Sequence, residues 1–217
     1  MKPEIKKENV TPLFESKFIK VYDLELEEGR HYYDATRRNK EDLVATKSEE
    51  EFKKMLPDAV SCVVILNQKD TQPQLLLSHE FRYPAGQFLL SVPAGLIDKE
   101  DKELENPLFI TAKRELKEET GIDFKDGDEI EVINPFLFST PGMTDESNAL
   151  IKIVINQEEI PSLSQEGAVG SECFDGFSLL TKEEAVKILK SGVDKYGIFY
   201  SVYTWAALVY FVTDMWK

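Results

Sequence analysis

The chain has 217 residues, enough for one α/β domain with a sizeable core and a small appendage. Its net charge of -14 argues against a nucleic-acid partner, because such affinity comes largely from neutralising phosphates. The apolar run Tyr203 to Val212 is too short and too rich in Tyr and Trp to span a bilayer, so no membrane partner is expected either.

Residues 18–27 and 31–38 alternate like two strands about a turn at Glu28-Gly29-Arg30, making residues 1–45 an N-terminal β appendage. Residues 48–56 read as a short charged helix ending at Pro57. Strands follow at 59–66, 75–81 and 88–95, then at 129–138 and 148–155. Thr181 and Glu184 form a capping box at the start of a helix over 181–192, and a last helix covers about 201–213. The stretch 157–172 reads as a linker or mobile loop. Cys62 and Cys173 lie in apolar surroundings without metal-type spacing. They read as buried free thiols, which fits a reducing cytoplasm, as does the lack of a signal-peptide pattern. His31 and His79 have no partner spacing and are not expected to be ligands.

Between the third and fourth strands lies the helix that carries the chemistry. Asn106 is a good N-cap, Pro107 a good first residue, and Gly121 a left-handed stop, giving about 14 residues. On a helical wheel Leu108, Phe109, Ala112 and Leu116 form the apolar stripe. Glu115 and Glu119 fall within or beside that stripe, and Glu118 lies on its edge. A solvated charge run would face the other way, where Lys113 and Lys117 point. Like charges at i,i+4 repel, and the helix C-terminus adds its own partial negative charge. Partly buried carboxylates in this position need a cation or they take up protons. Mg²⁺ would remove the conflict, since it prefers oxygen ligands. Arg114 can pair with Glu118 at i,i+4 and fix its rotamer.

RELKEETGI (114–122) resembles the second half of the Nudix signature, Gx5Ex7REUxEExGU, with Gly95 as its first glycine. There are two departures. Asp101 stands where the pattern has glutamate. Residues 102–113 separate it from Arg114, twelve where the pattern has seven, so Glu100, Glu103 or Glu105 could replace Asp101. The resemblance implies a Nudix-type α/β/α sandwich with a mixed sheet, in residues 46–217. It also implies that the backbone carbonyl of Ala94 joins Glu115, Glu118 and Glu119 around the metal, with Arg114 supporting them.

Further segments resemble the ADP-ribose pyrophosphatase branch. HEFRYPAGQFLLSVPAGLID (79–98) is similar to that branch's QFRxP…PAGLID run, with Glu80 where glutamine is common. The match implies that Arg82 contacts substrate phosphates or the terminal ribose. RHYYDATRR (30–38) resembles the segment that supplies an aromatic and an arginine to the nucleotide, implying that Tyr33 stacks on adenine and Arg38 reaches phosphate or ribose. Residues 139–147 resemble the SPGxSxE loop, a mobile tip on which Glu146 matches the catalytic base and Asp145 is its neighbour. If neither acts, Glu118 is the next candidate. The expectation is therefore a cytoplasmic, homodimeric, Mg²⁺-dependent hydrolase, with Mn²⁺ as an alternative ion, whose partner is a small nucleoside diphosphate compound. It would split ADP-ribose into AMP and ribose 5-phosphate, with the appendage crossing to a second subunit. Two alternatives stand beside it: another nucleoside diphosphate-linked substrate, such as a sugar nucleotide or dinucleotide polyphosphate, or a non-catalytic ADP-ribose-binding regulatory domain.

Overall fold

The structure, a computed structural model, describes residues 4–159, 162–167 and 172–217. The chain forms two compact units. One is Met1–Asp58 with Phe136–Asn148, and the other is Ala59–Pro135 with Ala149–Lys217.

The first unit is built on a three-stranded antiparallel sheet, β1 (Val10–Glu15), β2 (Lys20–Glu27) and β3 (Arg30–Thr36). The two alternating stretches of the sequence become β2 and β3, and Gly29 turns between them with φ 75°. β1 was not expected, because Pro12 interrupts its pattern. It is an edge strand, where a missing N–H is tolerated, and the register shifts between Pro12 and Phe14. Val10, Tyr22, Leu24 and Leu43 form the small core. The charged segment after residue 48 yields one helical turn, α1 (Glu49–Phe52), closed by a Ser48–Glu51 capping box.

The second unit carries the larger sheet. Its strands are β4 (Ala59–Leu66), β5 (Gln74–Arg82), β6 (Gln87–Ser91), β7 (Ala94–Leu96), β8 (Glu129–Phe138), β9 (Ser147–Ile155) and β10 (Phe174–Leu180). The unit boundaries fall inside β8 and β9. The order is β10-β5-β4-β9-β8, with β6 paired to β5 and β7 to β4. The expected single strand at 88–95 is two, β6 and β7, broken at Val92-Pro93. β10 was not anticipated, because Gly176 and Asp175 dilute its pattern. Gly176 has φ 85°, and the pairing with β5 shifts register between Phe174 and Phe177.

β4 is buried along its whole length, as its uninterrupted apolar sequence requires. Val60, Cys62, Val64 and Leu66 join Ala112 and Leu116 of α2 (Pro107–Thr120) in one core. Its other residues face the opposite side, where α3 (Lys182–Ser191) and α4 (Val202–Val212) pack. The result is a mixed sheet between helical layers, as expected. The terminal apolar run proves to be α4, burying Thr204, Ala207, Leu208 and Phe211. Among the described residues no helix is long and apolar enough to cross a membrane. Cys62 is buried as expected, whereas Cys173 is exposed; it lies just before β10, an edge strand whose residues are mostly only partly buried. Of the expected loop 157–172, residues 160, 161 and 168–171 lie outside the described residues.

Candidate active site

The helix and the short strand β7 face each other in the second unit. α2 starts at Pro107 and stops at Gly121, whose φ of 76° suits a glycine. Asn106 occupies the N-cap but does not use its side chain. Its backbone is left-handed, and its carbonyl accepts the first helical N–H groups. Glu115 and Glu119 are buried, as the wheel places them. A Cβ on Gly95 would fall on the Glu115 carboxylate, so only glycine lets the strand and that side chain lie together. One residue earlier, the Ala94 N–H donates to Glu119 Oε1 at 3.1 Å. Glu119 Oε2 is buried with no hydrogen-bond partner.

Arg114 ties this cluster together. Its Nη1 lies 2.7 Å from Glu115 and 3.1 Å from Glu118, and its Nη2 donates to the Leu96 carbonyl at 3.0 Å. Asp98 and Asp101 approach the same guanidinium at 3.4 and 3.8 Å. Asp101 also accepts from the Thr111 hydroxyl at 3.3 Å. Despite the lengthened spacing, Asp101 lies within ion-pair distance of Arg114, beside the closer Asp98. A short 3-10 turn at Asp101–Glu103 absorbs part of the extra chain.

The electrostatics follow from burial. Burial first, then the charges of Glu118 and Glu172, pushes Glu115 up to about 7 against the pull of Arg114. Burial holds Glu119 well above the carboxylate range, in spite of the Ala94 N–H. Burial disfavours the charge of Arg114, but Glu115, Asp98 and Glu118 outweigh it and raise its pKa. Among the described residues no three His, Cys, Asp or Glu side chains converge as metal ligands do. The Arg114 guanidinium holds Glu115 and Glu118 in that space. The residues nevertheless fit a hard cation. All side-chain donors are oxygens, one buried oxygen is orphaned, and burial makes the charged forms costly without a counter-ion.

Arg82, at the end of β5, is half-exposed and pairs with buried Glu80 at 2.7 Å. Glu172 was missed by the sequence reading, which placed it at the end of a linker. Its charge bears on Glu80, Glu115 and Glu119. No short motif marks it; only the fold brings it near them.

The remaining candidates lie in the first unit. Tyr33 is exposed on β3. The Arg38 side chain is nearly enclosed, at 9% exposure: its guanidinium lies 2.8 Å from Asp58 and 3.3 Å from the Asp145 carboxylate. It also donates to the Asp145 carbonyl at 2.8 Å and to Ser147 Oγ at 3.2 Å. Arg37, not Arg38, is the exposed member of the pair, and its Nε lies 2.8 Å from Glu146. The loop expected to be a mobile tip is tied to β3. The Ala35 N–H donates to the Met143 carbonyl at 2.9 Å, and Tyr32 OH to the Gly142 carbonyl at 2.9 Å. Asp34 Oδ1 accepts the Asp145 N–H at 3.1 Å. Asp145 is buried and accepts the Val44 N–H at 3.1 Å, so its carboxylate is committed to the fold. His31 pairs with Asp23 and His79 with Ser178.

The pattern that defines the NUDIX domain matches residues 55–195, and the chain belongs to that family. It is 31% identical over 142 residues to the ADP-ribose pyrophosphatase of Saccharomyces cerevisiae, covering 62% of this chain and 57% of the yeast protein. It is 29% identical over 135 residues to the ADP-ribose pyrophosphatase of Bacillus subtilis, covering 62% and 64%. A third relative, the ADP-sugar pyrophosphatase of Mus musculus, is 31% identical over 103 residues, covering 47% and 43%. The matched stretch thus spans less than two thirds of each of these relatives.

Proposed function

We propose that this chain hydrolyses the diphosphate bond of ADP-ribose, giving AMP and ribose 5-phosphate. The observation that carries this reading is the helix α2, whose buried Glu115 and Glu119 face the PAGL strand and create a local demand for a cation. Glu115, Glu119, Glu118 and the Ala94 carbonyl would hold a divalent ion, Mg²⁺ or in its place Mn²⁺. When bound, it supplies neutralisation of the diphosphate and a more acidic bound water. Arg114 holds the rotamers of Glu115 and Glu118. Arg82 would bind a phosphate through its planar fork, and Tyr33 would offer a π face to adenine. Arg38 is enclosed by acids, so exposed Arg37 is the better candidate for a direct contact from that segment.

Hydrolysis adds a water oxygen to one phosphorus while the bridging oxygen leaves with the other phosphate. Glu146 would take the proton from that water, by its match to the catalytic-base position. A second reading gives this proton to Glu172, whose charge reaches Glu115 and Glu119.

A homodimer in the cytoplasm is the corresponding assembly. Leu13, Phe14, Phe18 and Ile19 are exposed around β1 and the start of β2, an apolar surface that a second copy would cover. Sedimentation as a monomer at micromolar concentration would exclude it.

The activity is tested with Mg²⁺ over a panel of nucleoside diphosphate compounds, including sugar nucleotides and dinucleotide polyphosphates. ADP-ribose should be hydrolysed best, EDTA should stop turnover, and Glu119→Gln should remove most of it with the fold intact. A better rate on an ADP-sugar, the class that names the mouse relative, would shift the substrate. Turnover unaffected by EDTA and by Glu119→Gln would end the metal reading.

A further inference from the structure

We infer that Glu80 is a positioning residue: it anchors Arg82 from the buried side of the sheet, so that the guanidinium meets a substrate phosphate already oriented. This rests on the reading of Arg82 as a substrate contact.

Glu80 and Arg82 are two residues apart on β5, so their side chains leave the same face. β6 fixes both, with Glu80 opposite Leu89 and Arg82 opposite Gln87. The positions differ in exposure. Glu80 is 9% exposed, while the Arg82 side chain is 48% exposed, and the pair closes at 2.7 Å. An arginine anchored at its inner edge and open at its outer edge is suited to hold an incoming anion.

Burial gives the anchor its reason. A buried carboxylate needs a counter-charge or it takes up a proton. The other charges acting on Glu80 are acidic, since Glu172 and Glu119 both repel it. Burial pushes the Glu80 pKa up, and Arg82 is the strongest influence opposing it, followed by hydrogen bonding from Ser91. Arg82 therefore answers a need at Glu80 that no neighbouring acid can meet. In return, a side chain that would otherwise sample many rotamers is restricted before substrate arrives, which lowers the ordering cost of binding. The pair closes through Nη2, and a guanidinium has five N–H donors, enough to serve a phosphate as well.

The test uses the full chain with Mg²⁺ and ADP-ribose, comparing Glu80→Ala, Glu80→Gln, Arg82→Ala and the double alanine variant. Glu80→Ala should raise KM about tenfold, the value of one charge-assisted hydrogen bond, and leave kcat nearly unchanged. Glu80→Gln, which keeps an acceptor and the shape, should fall between wild type and Glu80→Ala. The double variant should be no worse than Arg82→Ala alone, because Glu80 acts only through Arg82. Effects of the two alanine changes that simply add would overturn the inference, as would an unchanged KM in Glu80→Ala beside a raised KM in Arg82→Ala. Should Glu80→Ala not fold, the cycle is run with Glu80→Gln and the same criteria. A silent Arg82→Ala overturns the substrate role of Arg82, and the inference with it. No turnover of ADP-ribose by the wild-type chain defeats the proposed activity instead.

Discussion

The Glu115 carboxylate occupies the space where a side chain on Gly95 would begin. The first glycine of the signature is therefore not a turn residue here. It lies in β7, paired in register with Val60 of β4, and its role is to leave room for a carboxylate from the helix behind it.

That contact makes Gly95→Ala a separable test. The atoms a new methyl would meet are the far end of a flexible side chain, so Glu115 can swing away and the fold survives. The site does not, because Glu115 leaves its place. Misplacement by about 1 Å can cost on the order of 10²-fold in rate. We expect a kcat loss of that order with a melting temperature close to wild type. A large fall in melting temperature would show that Gly95 is needed for folding rather than for the site.

Arg38 offers a contrast between a contact with substrate and one with the fold. Its guanidinium is held by Asp58, Asp145 and Ser147. Removing one partner of such a buried cluster strands the others, at a cost of about 3–5 kcal/mol. Arg38→Ala should show this as a lowered urea midpoint. A stable variant whose only defect is a raised KM would restore Arg38 to the substrate.

Asp34 supplies a pH prediction. Burial, then the neighbouring charge of Asp145, raises it from 3.8 to about 6. The folded state therefore binds the proton more tightly than the unfolded chain. The contribution to stability is most favourable at acid pH and is lost as pH rises through about 6. Asp34→Asn keeps an acceptor for the Asp145 N–H and removes the charge. It should stabilise the protein at pH 7.5 by about 1–2 kcal/mol, allowing for solvent screening. The advantage should shrink toward pH 5. A gain that stays constant across this range would mean that Asp34 does not titrate there.

The sequence was most legible where one helix or strand decides the outcome. β4 and β8 are read to the residue, because uninterrupted apolar or alternating runs bounded by polar segments leave little choice. The capping box at Thr181 is read equally well. α2, with its inward-facing Glu115 and Glu119, follows from 3.6-residue periodicity alone. What escaped depends on tertiary pairing. β1 contains a proline and β10 a left-handed glycine, so neither shows a clean period of two. Cys173 lies among apolar neighbours in sequence, but it leads into an edge strand whose residues are mostly only partly buried. At 37–38, just past the end of β3, two adjacent arginines are indistinguishable in sequence; only the tertiary pairing with Asp58 and Asp145 encloses one and leaves the other exposed. Glu172 carries no motif, and its influence on the α2 acids appears only in three dimensions.

The last prediction concerns which carboxylate takes the water's proton. Asp145 and Glu146 are adjacent, but the fold treats them differently. Asp145 is buried, accepts the Val44 N–H and pairs with Arg38, so its charge is spent in the first unit. Glu146 is more exposed, and Arg37 at 2.8 Å is its ion-pair partner. Asp145→Asn should therefore lower stability more than it lowers kcat. Glu146→Gln should leave stability near wild type and lower kcat by about 10²–10⁴-fold, the usual contribution of a general base, with little change in KM. Glu172→Gln is the decisive comparison, because Glu172 acts on Glu115 and Glu119 without being part of the helix. If Glu146 is the base, Glu172→Gln should alter mainly the Mg²⁺ concentration needed for half-maximal rate, since it removes one negative charge near those acids. A kcat loss in Glu172→Gln that persists at saturating Mg²⁺, beside a mild Glu146→Gln, would transfer the role to Glu172. A mild effect in both would leave Glu118, which sits on the helix itself within reach of Arg114.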